Sequence, residues 1–215
     1  MKFFPSSTNR KVFGQLANEY DLVYFGRVDY KLDEDYRPIG GITLTRGATD
    51  ENFVSGDVYE YPVALLERLV SFKIGSRKES HHWTILQIQL QRAVDYPHMV
   101  LLGRARSTNY AAILTTGAGL NRIDWQSFGP TNPDFANKFN LFSRAENVTW
   151  LNYLIAPNVQ AMLATHFSAF DYEIRGNQLF VYSVAGREEI NLQMLDMILR
   201  VGLWWARSLD GIIAK

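Results

Sequence analysis

An α+β fold built on a mostly antiparallel sheet is what this sequence predicts, and three observations carry the prediction. Segments of period-two hydrophobicity face each other across short polar turns, at Gly75 to Glu79 and at Arg175-Gly176-Asn177. Helical spacing concentrates at the two ends of the chain and in a stretch around residues 146–166. From Phe139 to Tyr182 the order reads strand, helix, helix, strand, strand, a β-α-α-β-β part followed by a long C-terminal helix.

The elements follow in chain order. Thr8 or Asn9 is placed to cap a helix running to about Tyr20, with Val12, Phe13, Leu16 and Tyr20 on one face. Leu22-Val23-Tyr24-Phe25 reads as a strand. An acidic loop with Pro and Gly covers 33–41, Ile42-Thr43-Leu44-Thr45 reads as a short strand, and a loop covers 47–52. Residues 53–61 read as a further strand. Residues 66–74 and 81–90 then form a hairpin. In its second strand Thr84, Leu86, Ile88 and Leu90 share one face. His81, Trp83, Ile85, Gln87 and Gln89 share the other, which is expected to be the wetter side.

Met99 to Leu102 reads as a strand, and 107–136 as loop-rich. Phe139 to Phe142 is a strand. Ser143 with Glu146 fits a capping box that opens a short helix, and Pro157 suits the first turn of a second helix ending near His166. Residues 170–174 and 178–182 pair as a tight hairpin. The last helix is expected from about Glu188 to Ser208. No linker forces a boundary, so residues 1–215 read as one domain, with pseudo-lobes at 20–128 (β-rich) and 137–215 (α+β).

The last helix is unusual in its distribution of apolar residues. Gln193, Asp196, Arg200 and Arg207 share about a quarter of its circumference, and apolar side chains take most of the rest. A surface helix needs an apolar stripe only somewhat wider than about 100°. Either the helix is packed on two sides within its own domain, or it meets a partner through Met197, Val201, Trp204 and Trp205.

Composition removes several function classes. The chain has 22 basic and 22 acidic residues, so it lacks the basic excess of a dedicated nucleic-acid binder. It has no cysteine, which excludes disulfides, thiol nucleophiles and cysteine-ligated metals. The first residues show no signal-peptide h-region, so a cytoplasmic location, with or without membrane association, is expected. Residues 147–170 are broken by polar side chains and Pro157. In a span at 190–209, Asp196 and Arg200 would each cost about 2.5–3.5 kcal/mol at mid-membrane. No transmembrane helix is expected.

Motifs for chemistry are absent. His81 and His82 are adjacent and point to opposite faces of a strand, while His98 and His166 are isolated, so no metal site is predicted. Gly40-Gly41 and Gly117-Ala118-Gly119 continue into neither a phosphate loop nor a dinucleotide fingerprint, and no cofactor is expected. Carboxylates at Asp29, Asp33, Glu34 and Asp35, and at Asp50 and Glu51, match no calcium-loop spacing. Glu188 and Glu189 suit a helix N-terminus. Asp57 and Glu60 among Tyr59 and Tyr61 read as a strand's solvent face. Lys73, Arg77 and Lys78 form a basic hairpin tip, with Arg104 and Arg106 as candidate neighbours, able to touch phosphates or lipid headgroups. No catalytic residue is assigned.

One resemblance stands beside this reading. The stretches LANEYDLVYFG, SGDVYEY, HHWTILQIQL, PHMVLL and FNLFSRAENVTWLNYLIAPNVQAML, closed by FDYEIRGNQLFVY and the final helix, occur in an order of features that resembles a family of uncharacterised bacterial proteins. In that family a domain of unknown function follows one or two membrane helices. Phe139, Phe142, Leu154, Pro157, Phe170, Leu179 and Tyr182 match its pattern best. These are packing and turn residues, and the family's membrane helices have no counterpart in this chain. The resemblance implies a membrane-associated setting and no catalytic residue.

Three function classes follow in order. The first is a non-enzymatic interaction or scaffold domain, acting at the inner membrane surface or as a homo-oligomer, with a protein partner or self-association. The second is a small-molecule or lipid-binding domain with an aromatic-lined pocket above about 300 Å³. The third is an enzyme, revived if His82, His98 or His166 meets an acidic side chain in space.

Overall fold

A computed structural model describes residues 7–27, 38–45, 47–74, 77–105, 114–127, 129–184 and 189–212. Nine strands form one sheet: β1 (Val23–Gly26), β2 (Thr49–Val58), β3 (Tyr61–Ile74), β4 (Arg77–Gln89), β5 (Tyr96–Gly103), β6 (Asn121–Ile123), β7 (Phe139–Ser143), β8 (Asp171–Gly176) and β9 (Gln178–Ser183). Their spatial order is β1-β2-β3-β4-β9-β8-β5-β7-β6, and each neighbouring pair is antiparallel. The α+β class with an antiparallel sheet is therefore the observed one. The β8–β9 hairpin is the bridge: β9 pairs with β4 and β8 pairs with β5, so both expected pseudo-lobes share one sheet.

Alternation along each strand sends residues to two faces. On one face Leu65, Leu86, Val181, Tyr172, Leu101 and Leu141 meet the helices. These are α1 (Ser7–Glu19), α2 (Pro133–Lys138), α3 (Val148–Leu154), α4 (Pro157–His166) and α5 (Leu192–Ile212). α5 packs on β4, β9, α1 and α3. Leu195, Ile198, Val201, Trp205 and Leu209 are fully buried there, and Trp205 meets Tyr172 edge-on. The cover that the apolar arc of α5 requires comes from the chain itself.

The opposite face is the wetter one of β4, with His81, Gln87 and Gln89 half-buried, but it is covered over part of its length. Trp83 and Ile85 are buried with Leu66, Val70, Phe180 and Tyr182 beneath Ile39, Ala48 and Leu114. Farther along, Val100, Leu102 and Phe142 lie under Leu120. Two non-strand segments, 38–45 with 47–48 and 114–120, thus roof the sheet on this face.

Other expectations shift for identifiable reasons. Residues 42–45 form no strand: the Leu44 amide bonds the Gly41 carbonyl and the Ile42 amide bonds a side chain, so the segment is a turn-containing strap. β2 starts at Thr49, within the expected loop, and ends at Val58. Tyr59 and Glu60 both take positive φ and make the turn to β3 without the usual Gly or Asn. Ser143 opens no capping box. It is still in β7, and its hydroxyl donates to the His98 carbonyl at 2.7 Å. α5 begins at Leu192, with the Asn191 side chain accepting from the Met194 amide. The nominal loop at 107–136 contains β6 and the start of α2, which Asn132 caps through the amides of Asp134 and Phe135.

Candidate functional site

The strap at 38–45 is held by two buried charged groups on the roofed face. Arg68, from β3, is fully buried. Its Nε and Nη2 donate to Asp50 at 2.7 and 2.8 Å, a fork-to-fork pair. The remaining donors reach the carbonyls of Ile39 (2.6 Å) and Gly40 (3.0 Å) and the Thr43 hydroxyl (3.2 Å). Glu173, from β8, accepts from the Ile42 amide at 2.8 Å and from the Tyr182 hydroxyl. Burial, then the Glu173 charge and hydrogen bond, push the Tyr182 phenol well above its usual range. Gly41 between these anchors has φ +81°, and a Cβ there would run into the Tyr182 hydroxyl.

Glu173 has a third partner. His98 Nε2, from β5, lies 2.7 Å from Glu173 Oε1. The carboxylate is fully buried while the imidazole side chain remains 19% exposed. The carboxylate therefore fixes the ring from behind and leaves its edge at the surface. In front of that edge lies a cleft of about 630 Å³, within the ~300–1,000 Å³ usual for small-molecule sites.

Residues from four places line the cleft. Asp95, Pro97 and His98 come from β5 and its approach, Arg175 from β8, and Gly117 and Ala118 from the second roof segment. Arg144, Glu146, Asn147 and Trp150 come from the connection that leads β7 into α3. Asp95, Arg144, Glu146 and Arg175 are exposed, and their side chains make no hydrogen bond or ion pair among the described residues. α3 explains the position of Trp150. Leu151 and Leu154 are its buried face, so Trp150 and Tyr153, three apart, are turned outward together at 50% and 60% exposure.

A second histidine pair lies elsewhere. His82 Nε2 is 3.1 Å from Glu67 Oε1, beneath α1, with Asn9 and Asn52 also donating to that carboxylate. Burial works to raise the Glu67 pKa. The contacts with His82, Asn52 and Asn9 outweigh it and hold the carboxyl below its usual value. Thus two histidines do meet acidic partners, the condition set for the enzyme reading. Yet Glu173 is committed to the strap, and no hydroxyl or thiol side chain lines the cleft among the described residues. No group of three or more metal-ligating side chains occurs among the described residues.

Two further clefts exist. One of about 610 Å³ is bordered by Phe25, Phe53, Pro38, Pro62 and Arg27, with Phe25 and Phe53 stacked at 5.3 Å. One of about 340 Å³ lies between Tyr59 and Trp204, where the Arg207 guanidinium sits 4.8 Å over the Tyr59 ring.

The predicted contact residues separate. Val201 and Trp205 are core residues, while Met197 is exposed and Trp204 partly so, against Phe167. This correction arises because the sheet and α1 both press on α5. The backbones of Lys73, Arg77 and Lys78 pair at the far end of β3 and β4, and their side chains lie outside the described residues. The acidic run at 29–35, Arg106 and Glu188 also lie outside them. Asp57, Tyr59 and Glu60 are exposed, and Tyr61 is buried. Trp150, Tyr153, Arg144, Arg175 and Glu173 were not singled out from the sequence. The one available signal was the offset of Trp150 and Tyr153 from Leu151 and Leu154. The cleft itself joins residues 95 to 175 and has no local motif.

No helix among the described residues is long and apolar enough to cross a membrane. No family model matches the chain, and no curated protein matches it either. Among solved structures, the chain is similar to the crystal structure of the mycobacterial trehalose monomycolate transport factor A, TtfA. The TM-score is 0.57 over 96% of this chain and 95% of that one, at 12% sequence identity. The likeness spans both sequences almost end to end, and at this identity what the two chains share is the fold.

Proposed function

We propose that this chain is a non-enzymatic domain that docks on a membrane surface and receives a lipid headgroup in the cleft beside His98. The observation that carries this reading is the outward pair on α3, Trp150, which lines the cleft, and Tyr153 three residues further along. Large aromatics at 50% and 60% exposure cost free energy in water. Their amphipathic rings match the interface between headgroups and acyl chains. Arg144, shortly before them in the chain, adds a cation that anionic headgroups attract. The fold shared with a protein titled a trehalose monomycolate transport factor supports a lipid-related role. The resemblance to bacterial domains that follow membrane helices supports the same setting.

The test is co-sedimentation with vesicles of phosphatidylcholine, with and without phosphatidylglycerol. Binding is expected to both, tighter with the anionic lipid, and to fall about tenfold or more in the Trp150→Ala/Tyr153→Ala variant with its thermal midpoint preserved. Absence of the wild-type protein from both pellets overturns the reading. The interaction-domain reading has its own support in Val23 and Phe25, exposed at 55% and 57% on edge strand β1. Light scattering on the same samples checks it: self-association through this edge is expected to disappear in Val23→Lys.

A further inference from the structure

The chemistry of the cleft narrows the class of headgroup. Its charged side chains that have no partner among the described residues come in opposite signs: two guanidinium groups, Arg144 and Arg175, and two carboxylates, Asp95 and Glu146. A site for phosphate or sulfate gathers donors and cations and excludes carboxylates, because like charges at close range raise the cost of binding. A site for an amine does the reverse. Here neither charge dominates, and Asn147 adds an amide that both donates and accepts.

A hydroxyl group donates one hydrogen bond and accepts others. A wall that combines carboxylates, guanidiniums and an amide offers donors and acceptors to several hydroxyls at once. The remaining demand of a polyhydroxylated ring is a partner for its C–H face. The half-exposed indole of Trp150 offers a flat apolar surface at the same cleft. His98, locked by the buried Glu173, adds a ring edge whose orientation is set before any ligand arrives. We propose that this cleft binds a carbohydrate: the sugar or cyclic polyol ring of a headgroup, stacked on Trp150, with its hydroxyls shared among Asp95, Glu146, Arg144 and Arg175. The headgroup role rests on the membrane reading above; recognition of the sugar itself does not.

Saturation-transfer-difference NMR on the full chain in solution, without lipid, separates the two. The probes are glucose, galactose, mannose, maltose and myo-inositol, each at about 10 mM, with inorganic phosphate titrated separately by tryptophan fluorescence. At least one sugar is expected to receive saturation on its ring protons. Its affinity is expected to drop about tenfold in Trp150→Ala and several-fold in Glu146→Gln and in Arg175→Gln. These residues are exposed, so circular dichroism is expected to match wild type in each variant. No transfer to any probe overturns the proposal, as does phosphate binding that the sugars fail to displace. Sugar binding without vesicle binding leaves this inference standing and removes the membrane reading. Vesicle binding without sugar binding does the opposite.

Discussion

Single residues hold the strap that frames the cleft, and their energetics are the most local consequence of the sequence. Arg68 and Asp50 lie directly opposite each other in β2 and β3, both fully buried. Removing one partner of such a pair strands a charge away from water at about 3–5 kcal/mol, whereas replacing both with apolar side chains can be nearly neutral. Urea unfolding is therefore expected to show Arg68→Leu losing about 3–5 kcal/mol, and Arg68→Leu/Asp50→Leu losing distinctly less. The double variant still forfeits the bonds to Ile39, Gly40 and Thr43. Glu67 governs the acid side. Its folded pKa lies below the unfolded value of 4.5, so its contribution is present above that pH and fades as pH falls through the folded pKa. Urea midpoints are expected to decline as pH falls below about 4.5, with a shallower decline in Glu67→Gln. Neither residue was legible beforehand. Each occupies one position in an apolar alternation, and its partners are set by pairing register, which no local window contains.

At the scale of elements, legibility tracked local physics. The hairpin of β3 with β4, the hairpin at Arg175–Asn177, the Pro157 helix and the terminal helix all carry their signals within a few residues and all form, although Arg77, Lys78 and Glu79 of the expected first turn pair within β4. The strand expected at 42–45 does not form, because the segment turns at 41–44 and its bonds go to Glu173 and within the turn rather than to a neighbouring strand. The turn at Tyr59-Glu60 carried no Gly or Asn to announce it. For α5, the wide apolar arc was visible but its cover was not. Gly202 shows how close that cover is: a Cβ there would lie 2.7 Å from a Leu86 methyl and 2.8 Å from one of Ile88. The helix rests on β4 at this glycine. Gly202→Ala gains up to about 1 kcal/mol of helix propensity, set against two core methyls that must move. Gly202→Leu has no such balance and is expected to lose about 1–3 kcal/mol in urea unfolding, with the far-UV spectrum retained.

The whole molecule behaves according to where β9 sits. The division into a β-rich 20–128 and an α+β 137–215 reflects chain order, but the sheet inserts β9 and β8 between β4 and β5. The first four strands thus end on an element from the last third of the chain. α5 reinforces the join by packing on β4 from one half and β9 from the other, while α1 reaches it through the Tyr20 hydroxyl, which donates to Asp196. Burial, then the Asp196 hydrogen bond, hold the Tyr20 phenol at a pKa of about 12. Neither half owns a closed core: Leu86, Ile88 and Leu101 from the first belong to one cluster with Val181 and Ile174 from the second. A unit whose halves complete each other's core loses both when either opens, which is the condition for two-state behaviour. Urea unfolding followed by far-UV circular dichroism and by tryptophan fluorescence is therefore expected to give one midpoint. Trp83 reports on β4, and Trp204 and Trp205 on α5. Ending the chain at residue 190 removes α5, and the coupling predicts loss of protection in β1–β4 as well as in β8 and β9, read by amide hydrogen exchange. Survival of a protected β1–β4 meander in that shortened chain, or two separated midpoints in the full one, would show that the halves fold independently and that β9 joins them without coupling them.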